Sequence, residues 1–139
     1  MRSRRGNAAI EFALVFGLLW LLLSGVFRLG YSMYLYHRLL GAVAEAARYA
    51  SRVTFDPGHT FVPAVRNMAV YGQPTTGTAP LAPGLAVQHI AVTWTTDASG
   101  MPLTITVAVS GYTADALFQT FTWDGKPSAT VRFCGRWIT

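Results

Sequence analysis

The N-terminal part of the chain is dominated by one long apolar segment. Residues 12–27 read FALVFGLLWLLLSGVF and carry no charge. As an α-helix they would span about 24 Å, which is short of a hydrocarbon core of about 30 Å, whereas residues 7–27 would span about 31 Å. The pattern therefore predicts a transmembrane helix over residues 7–27.

The longer segment includes one acid, Glu11, and two interpretations of it are open at this point. An acid near the bilayer surface is stabilised by the positive end of the helix dipole and needs no other partner. An acid at the centre of a membrane helix costs roughly 3 kcal/mol, and a partner would offset that cost. The sequence alone does not separate the two.

Beyond the apolar segment, apolar residues recur at alternating spacings of four and three residues, which is typical of one face of a helix. These residues are Leu35, Leu39, Ala42, Ala46, Tyr49 and Val53. A pre-proline residue, a proline and a glycine follow at residues 55–58, so the helix is expected to end at Thr54. Residues 28–54 are therefore predicted to form a stalk that continues the membrane helix and supports a head.

The remaining residues, 59–139, predict a small head. An amphipathic pattern favours a short helix at 59–71, and period-two alternation favours strands at 87–95 and 103–110, joined by a turn into an antiparallel hairpin. A third strand is predicted at 128–133. Three strands with one apolar face need a cover, which the stalk supplies. The expected fold class is α+β: a long N-terminal transmembrane and stalk helix packed on a head with a short helix and a three-stranded antiparallel sheet.

Composition and charge narrow the classes of function. Hydrophobic residues make up 52% of the chain and charged residues 12%, about half the usual charged share, which excludes a disordered chain. The net charge is +5, and Arg2, Arg4 and Arg5 contribute three of these charges. The other basic residues are scattered, so we expect no nucleic-acid binding. Arginines directly before an apolar segment instead favour a cytoplasmic N-terminus and an external head.

No motif indicates an enzyme or a bound cofactor. His37, His59 and His89 lack metal-ligand spacing, no serine or cysteine lies in a nucleophile motif, and no glycine loop has phosphate-binding spacing. We therefore expect no catalytic, cofactor-binding or metal site. The single cysteine, Cys134, allows no intramolecular disulfide, and we expect a buried, inert thiol rather than an intersubunit disulfide.

A secretory signal peptide is an alternative for the N-terminal segment. The basic start fits, but an acid lies inside the apolar region and no A-x-A site closely follows that region. The residues Ala42-Val43-Ala44 have the right composition but lie too far downstream. A membrane anchor is therefore favoured over a soluble secreted protein.

Residues 4–12, RRGNAAIEF, form a specific pattern: a basic leader ending in glycine, an acid and an aromatic residue just before the apolar segment. This pattern resembles the class III signal of type IV pilin-like proteins. More narrowly, residues 5–52 resemble the TadE-like family of minor pilins, or pseudopilins, of the tight-adherence (Flp) pilus. Major Flp pilins are short and nearly all helix, whereas this chain continues into a head, which favours a minor subunit with a pilin-like fold.

The resemblance implies a role for each residue of the pattern. A prepilin peptidase would cut between Gly6 and Asn7, so that residues 1–6 are removed as a leader. Glu11 would then be the fifth residue of the mature chain, where this family keeps its glutamate, and it would act in assembly together with Phe12. Major Flp pilins typically have tyrosine in place of Phe12, and TadE-like members tolerate phenylalanine.

The resemblance also implies a function. The protein would be a non-enzymatic minor pilin that assembles with other pilins through its N-terminal helix, for pilus biogenesis and adhesion. Its partners would be a prepilin peptidase, other Tad pilins and pseudopilins, the Tad membrane assembly platform and the lipid bilayer. It would cross the cytoplasmic (inner) membrane once, or be incorporated into an extracellular pilus. Two alternatives stay open: an uncleaved membrane-anchored binding or sensing domain, and a pseudopilin of type II secretion.

Overall fold

The computed structural model describes residues 5–116 and 119–136. The elements in chain order are α1 (Arg5–Ala50), α2 (Phe61–Tyr71), a 3-10 turn (Val87–His89), β1 (Ile90–Thr96), β2 (Pro102–Val109), β3 (Tyr112–Ala116), β4 (Gln119–Trp123) and β5 (Ser128–Arg132). The first, second and fifth strands form an antiparallel sheet in the order β1-β2-β5, while β3 and β4 form a separate antiparallel hairpin. The predicted α+β fold class is confirmed.

The predicted stalk face of α1 packs against the head. Its buried residues include the expected leucines and also small residues that let the helix approach the sheet closely. They are Leu35, Leu39, Ala42, Val43, Ala46, Ala47 and Ala50. The helix ends at Ala50, earlier than the predicted end at Thr54, and residues 51–53 form a turn. This turn brings Phe55 into the core, where its N–H donates to the carbonyl oxygen of Arg136 at 2.8 Å.

The three-stranded sheet has one face toward the helices and one toward solvent. On the inner face, Ile105, Val107 and Val109 of the central strand are buried. On the outer face, threonine hydroxyls bond across neighbouring strands, Thr106 with Thr130 at 2.8 Å. The alternation that predicted these strands is therefore the division between core and solvent.

The two ends of the β1–β2 hairpin differ from the prediction only in detail. Residues Val87–His89 form the 3-10 turn rather than the start of the strand. At the other end, one carboxylate oxygen of Asp97 accepts hydrogen bonds from the Ser99 hydroxyl at 2.6 Å and from the N–H of Met101 at 2.9 Å. These two bonds, with the Ser99 hydroxyl as the larger cause, hold the pKa of Asp97 below its ordinary value. The expected turn is thus fixed by a side chain that caps the backbone.

The second helix, α2, covers another part of the core. Its buried face consists of Phe61, Val65, Ala69 and Val70. It ends at Gly72, which has a left-handed conformation (φ 72°) and donates its N–H to the carbonyl oxygen of Met68. Glycine adopts this conformation at little cost, so the residue marks the helix end.

The side chain of Cys134 does not lie in the core. The preceding residue, Phe133, points inward and is buried, so Cys134 faces outward and its thiol is exposed. The prediction of a buried thiol was therefore wrong. Side chains continue to alternate between the core and solvent just beyond β5, and this alternation places Cys134 on the solvent side.

Substitutions of the neighbouring residues Leu39 and Leu40 on α1 can test whether packing of the stalk on the head stabilises the fold. Leu39 is 0% exposed and Leu40 is 38% exposed. We expect Leu39→Ala to lower the free energy of unfolding by about 2–5 kcal/mol, because it leaves a cavity between the helix and the sheet. Leu40→Ala should cost about 1 kcal/mol or less. Denaturant unfolding of the full chain in detergent micelles measures both, and equal losses would contradict the packing described here.

Candidate membrane and assembly interface

The first half of α1 carries a large exposed apolar surface. Between Ile10 and Phe27, every large apolar side chain has an exposed fraction of 53% to 71%. The helix is long and apolar enough to cross a membrane, with a mean hydropathy of 2.2 over its most apolar window, none of which is buried by the head. Soluble monomers rarely expose a continuous apolar surface of this size. Lipid or other protein helices must therefore cover it.

Three aromatic rings form a ladder on one side of this surface. Phe12 stacks on Phe16 with ring centroids 6.0 Å apart, and Phe16 stacks on Trp20 at 6.4 Å. Their four-residue spacing places them on one helix face. Only Phe12 was named from the sequence, although the four-residue spacing of Phe16 and Trp20 can be seen in it.

Glu11 lies beside this ladder as an exposed side chain. Among the side chains that the structure describes, no cation lies within ion-pair distance of it, because the one ion pair found joins Arg48 and Glu45 on the stalk. The hydroxyl of Ser24, by contrast, donates to the carbonyl oxygen of Trp20 at 2.7 Å, which satisfies it within the helix. Glu11 therefore has no ion-pair partner among the described side chains.

The residues at the predicted cleavage site belong to the start of α1. The described part of α1 starts at Arg5 and includes Gly6 and Asn7. The helix therefore extends across the predicted scissile bond. Arg2 and Arg4 lie outside the described residues.

A second contact of this region comes from the head. The guanidinium carbon of Arg28 lies 5.1 Å from the ring centroid of Phe121 in β4. Gly25, Leu29 and Ser32 complete a groove of about 350 Å³ between the helix and the β3–β4 hairpin. The sequence did not reveal this contact, because the two residues are far apart in the chain and the hairpin carries no strong period-two pattern.

The described residues were compared with the requirements of a metal site. No group of three or more His, Cys, Asp or Glu side chains in them lies close enough to hold a metal ion. The Nδ1 atom of His89 accepts a hydrogen bond from the N–H of Ala86 at 3.1 Å, so this imidazole stabilises the turn before β1.

The chain is one long apolar helix followed by a small α+β head, and the exposed helix fits a membrane anchor. This architecture is that of a membrane-anchored protein. Comparison with protein families matches residues 6–48 to the model of the TadE-like protein family. The resemblance seen in the sequence is confirmed, because over these residues the chain is similar to the TadE-like protein family. The match covers less than half of the chain and ends within α1, so the head lies outside it. Comparisons with curated proteins and with solved structures gave no match.

Proposed function

We propose that this protein is a non-enzymatic minor pilin, or pseudopilin, of a Tad-type pilus. Its N-terminal helix crosses the cytoplasmic membrane, with the N-terminus inside and the head outside, and then packs with the helices of other pilins during pilus biogenesis and adhesion. The observation that carries this proposal is the division of α1 into two halves. The apolar surface from Ile10 to Phe27 is exposed, whereas the stalk face from Leu35 onward is buried under the protein's own head.

The division of α1 also supports the proposed organisation of the chain. Residues 1–6 form a leader, 7–27 the transmembrane helix, 28–54 the stalk and 59–139 the head. Arg28 is the first charged residue after the apolar segment, and Phe121 of the head partly shields it. A charged, partly shielded residue suits the outer surface of a bilayer.

The partners follow from the two surfaces. The exposed helix contacts lipid first and neighbouring pilin helices later, since both offer apolar contacts. Relative to exposure in water, burial of each large apolar side chain contributes roughly 1.5–3 kcal/mol. A prepilin peptidase recognises Gly6, Asn7 and the preceding arginines. The other proposed partners are the Tad membrane assembly platform and the other Tad pilins and pseudopilins.

One observation favours a second candidate function. The helix runs through Gly6 to Arg5, and a scissile bond inside a helical turn suits an uncleaved anchor better than a processed pilin. The chain would then be a single-pass membrane-anchored binding or sensing domain. The position of the mature N-terminus separates the two functions.

The first experiment is to determine the N-terminus of the protein purified from membranes of a strain with an active prepilin peptidase. We expect it to begin at Asn7, because the basic leader is presented at the cytoplasmic face and cut after Gly6. An intact Met1 would support the uncleaved anchor instead. A start beyond the apolar segment would indicate secretory signal peptidase and overturn both functions. Co-purification with Tad rather than type II secretion components then identifies the system.

A further inference from the structure

The β3–β4 hairpin extends from the head toward the membrane segment of α1. At its base, the Tyr112 hydroxyl donates to the carbonyl oxygen of Pro83 at 2.7 Å, and the Tyr112 ring lies 5.6 Å from that of its strand partner Trp123. Burial, with a smaller contribution from the nearby Tyr31, raises the pKa of Tyr112 above its ordinary value. The base of the hairpin is therefore fixed in the head, beside the stalk.

Farther along the hairpin, the pair of Ala114 and Phe121 lies beside a part of α1 closer to the membrane segment. Phe121, opposite Ala114 in the hairpin, contacts Arg28 and lines the groove with Gly25. Gly25 is about 4.5 Å closer to the N-terminus than Arg28 along the helix axis. Two further residue pairs, ending with Ala116 opposite Gln119, continue the hairpin by about 7 Å. If α1 crosses the bilayer over residues 7–27, the hairpin reaches the outer membrane–water interface.

The groove between helix and hairpin is lined by one charged residue, Arg28, and otherwise by uncharged residues. Arg28 supplies a guanidinium with no carboxylate within ion-pair distance among the described side chains. Asp115, in strand β3 of the hairpin, accepts a hydrogen bond from the Thr120 hydroxyl at 2.9 Å. Leu29 lines the groove beside Arg28, and the space next to Gly25 is open, since an added Cβ there would meet no atom within 4 Å.

We propose that this groove binds a phospholipid of the outer leaflet, with its phosphate on Arg28 and its first acyl carbons beside Gly25. A guanidinium matches phosphate in shape and charge, and the groove opens at the depth where lipid phosphates lie. The helix of a neighbouring pilin fits less well, because it would bury Arg28 without a counter-charge. The bound lipid and the hairpin together fix how deeply the head sits on the membrane. This inference rests on the membrane placement in the proposed function.

The depth of the hairpin can be measured on the full chain in phosphatidylglycerol nanodiscs. Spin labels are placed singly at Thr120→Cys, Thr93→Cys and Leu19→Cys in a Cys134→Ser background, and their access to oxygen and to a water-soluble nickel chelate is compared. Thr93 is an exposed threonine on the sheet, so it reports the head in water. We expect nickel access at Thr120 to be several-fold lower than at Thr93, with Leu19 deeper than both.

The role of Arg28 is tested by Arg28→Gln, with Arg38→Gln as its matched control. Arg38 also stacks on an aromatic ring, Tyr34, at 5.7 Å, but about 15 Å farther from the membrane along the helix. Arg28→Gln should raise nickel access at Thr120 several-fold and reduce the phospholipid retained in native mass spectra, whereas Arg38→Gln should change neither.

The outcomes separate this inference from the function on which it rests. A deep Leu19 label with Thr120 in water overturns the lipid groove and leaves the anchor standing. A Leu19 label in water overturns the anchor and the groove with it. Protection of Thr120 only in assembled filaments, and not in nanodiscs, assigns the groove to a neighbouring pilin and overturns lipid binding.

Discussion

Gly6→Trp should leave the protein unprocessed, with its basic leader retained and its helix held in the membrane. A peptidase that accepts glycine next to the scissile bond has no room for an indole, so the processed fraction is expected to fall from nearly complete to undetectable. Intact mass measurement of the membrane-extracted protein gives this fraction directly. The variant should still insert, because the apolar segment that follows is unchanged.

The consequence for assembly follows from the charge of the leader. Arg2, Arg4 and Arg5 stay attached in the variant, and drawing the helix out of the bilayer would carry them through its core. Each such charge costs roughly 3 kcal/mol at the centre of the bilayer. The unprocessed protein should therefore accumulate in membranes and be absent from sheared pili.

Two variants control this experiment. Gly6→Ala adds one methyl group and favours the helix, so it should be processed more slowly than the wild type but still be processed. Gly17→Ala changes the same helix where an added Cβ meets no neighbouring atom, and it should be processed normally. Wild-type processing of Gly6→Trp would contradict the assignment of this glycine to the cleavage site.

The elements that the sequence predicted are those whose pattern is local and strong. The stalk face from Leu35 to Ala46 and the alternation of Ile105 and Val107 each repeat over several positions, and the structure buries both. The end of α1 was placed too late, because the turn after Ala50 depends on the distant contact of Phe55 with Arg136. Arg136 is far from Ala50 in the chain, so the residues around Ala50 do not by themselves predict where the helix ends.

The β3–β4 hairpin was not predicted, and the reason lies in how it is stabilised. Its strands are only five residues each and carry Thr113, Asp115 and Thr122 among their apolar residues. What holds it is the contact of Tyr112 with Pro83 and of Phe121 with Arg28, both distant in the chain. The linear motif around Gly6 and Glu11 could be read without a structure, whereas the groove at Arg28 could not.

Glu11→Ala should leave the protein cleaved and membrane-inserted but weaken its association with partner pilins. Cleavage creates an α-amino group at Asn7, about 6 Å along the helix axis from Glu11. In the proposed pilus assembly, the amino group of one subunit would pair with Glu11 of its neighbour. Pairing offsets much of the cost of burying the acid, whereas either charge left alone in a low-dielectric setting is expensive.

The structure of α1 sharpens this expectation. Glu11 is exposed and is followed by Phe12, the first ring of the aromatic ladder, so a helix that packs near the acid can also contact this ring. The rings tolerate sliding along an apolar partner, because their contacts are not directional, but an ion pair does not. The pair would therefore set the axial register of the subunits more than it would add stability.

Crosslinking and co-purification with other pilus subunits, compared between wild type and variants, test the pairing. Glu11→Gln keeps the size and polarity of the side chain but not its charge, so it should fail in association as Glu11→Ala does. Glu45→Ala removes an exposed acid from the stalk of the same helix, where its partner is Arg48 at 2.9 Å, and should assemble normally. Normal association and piliation of Glu11→Ala would overturn the pairing. Glu11 would then be an interfacial acid that the positive end of its own helix is sufficient to stabilise.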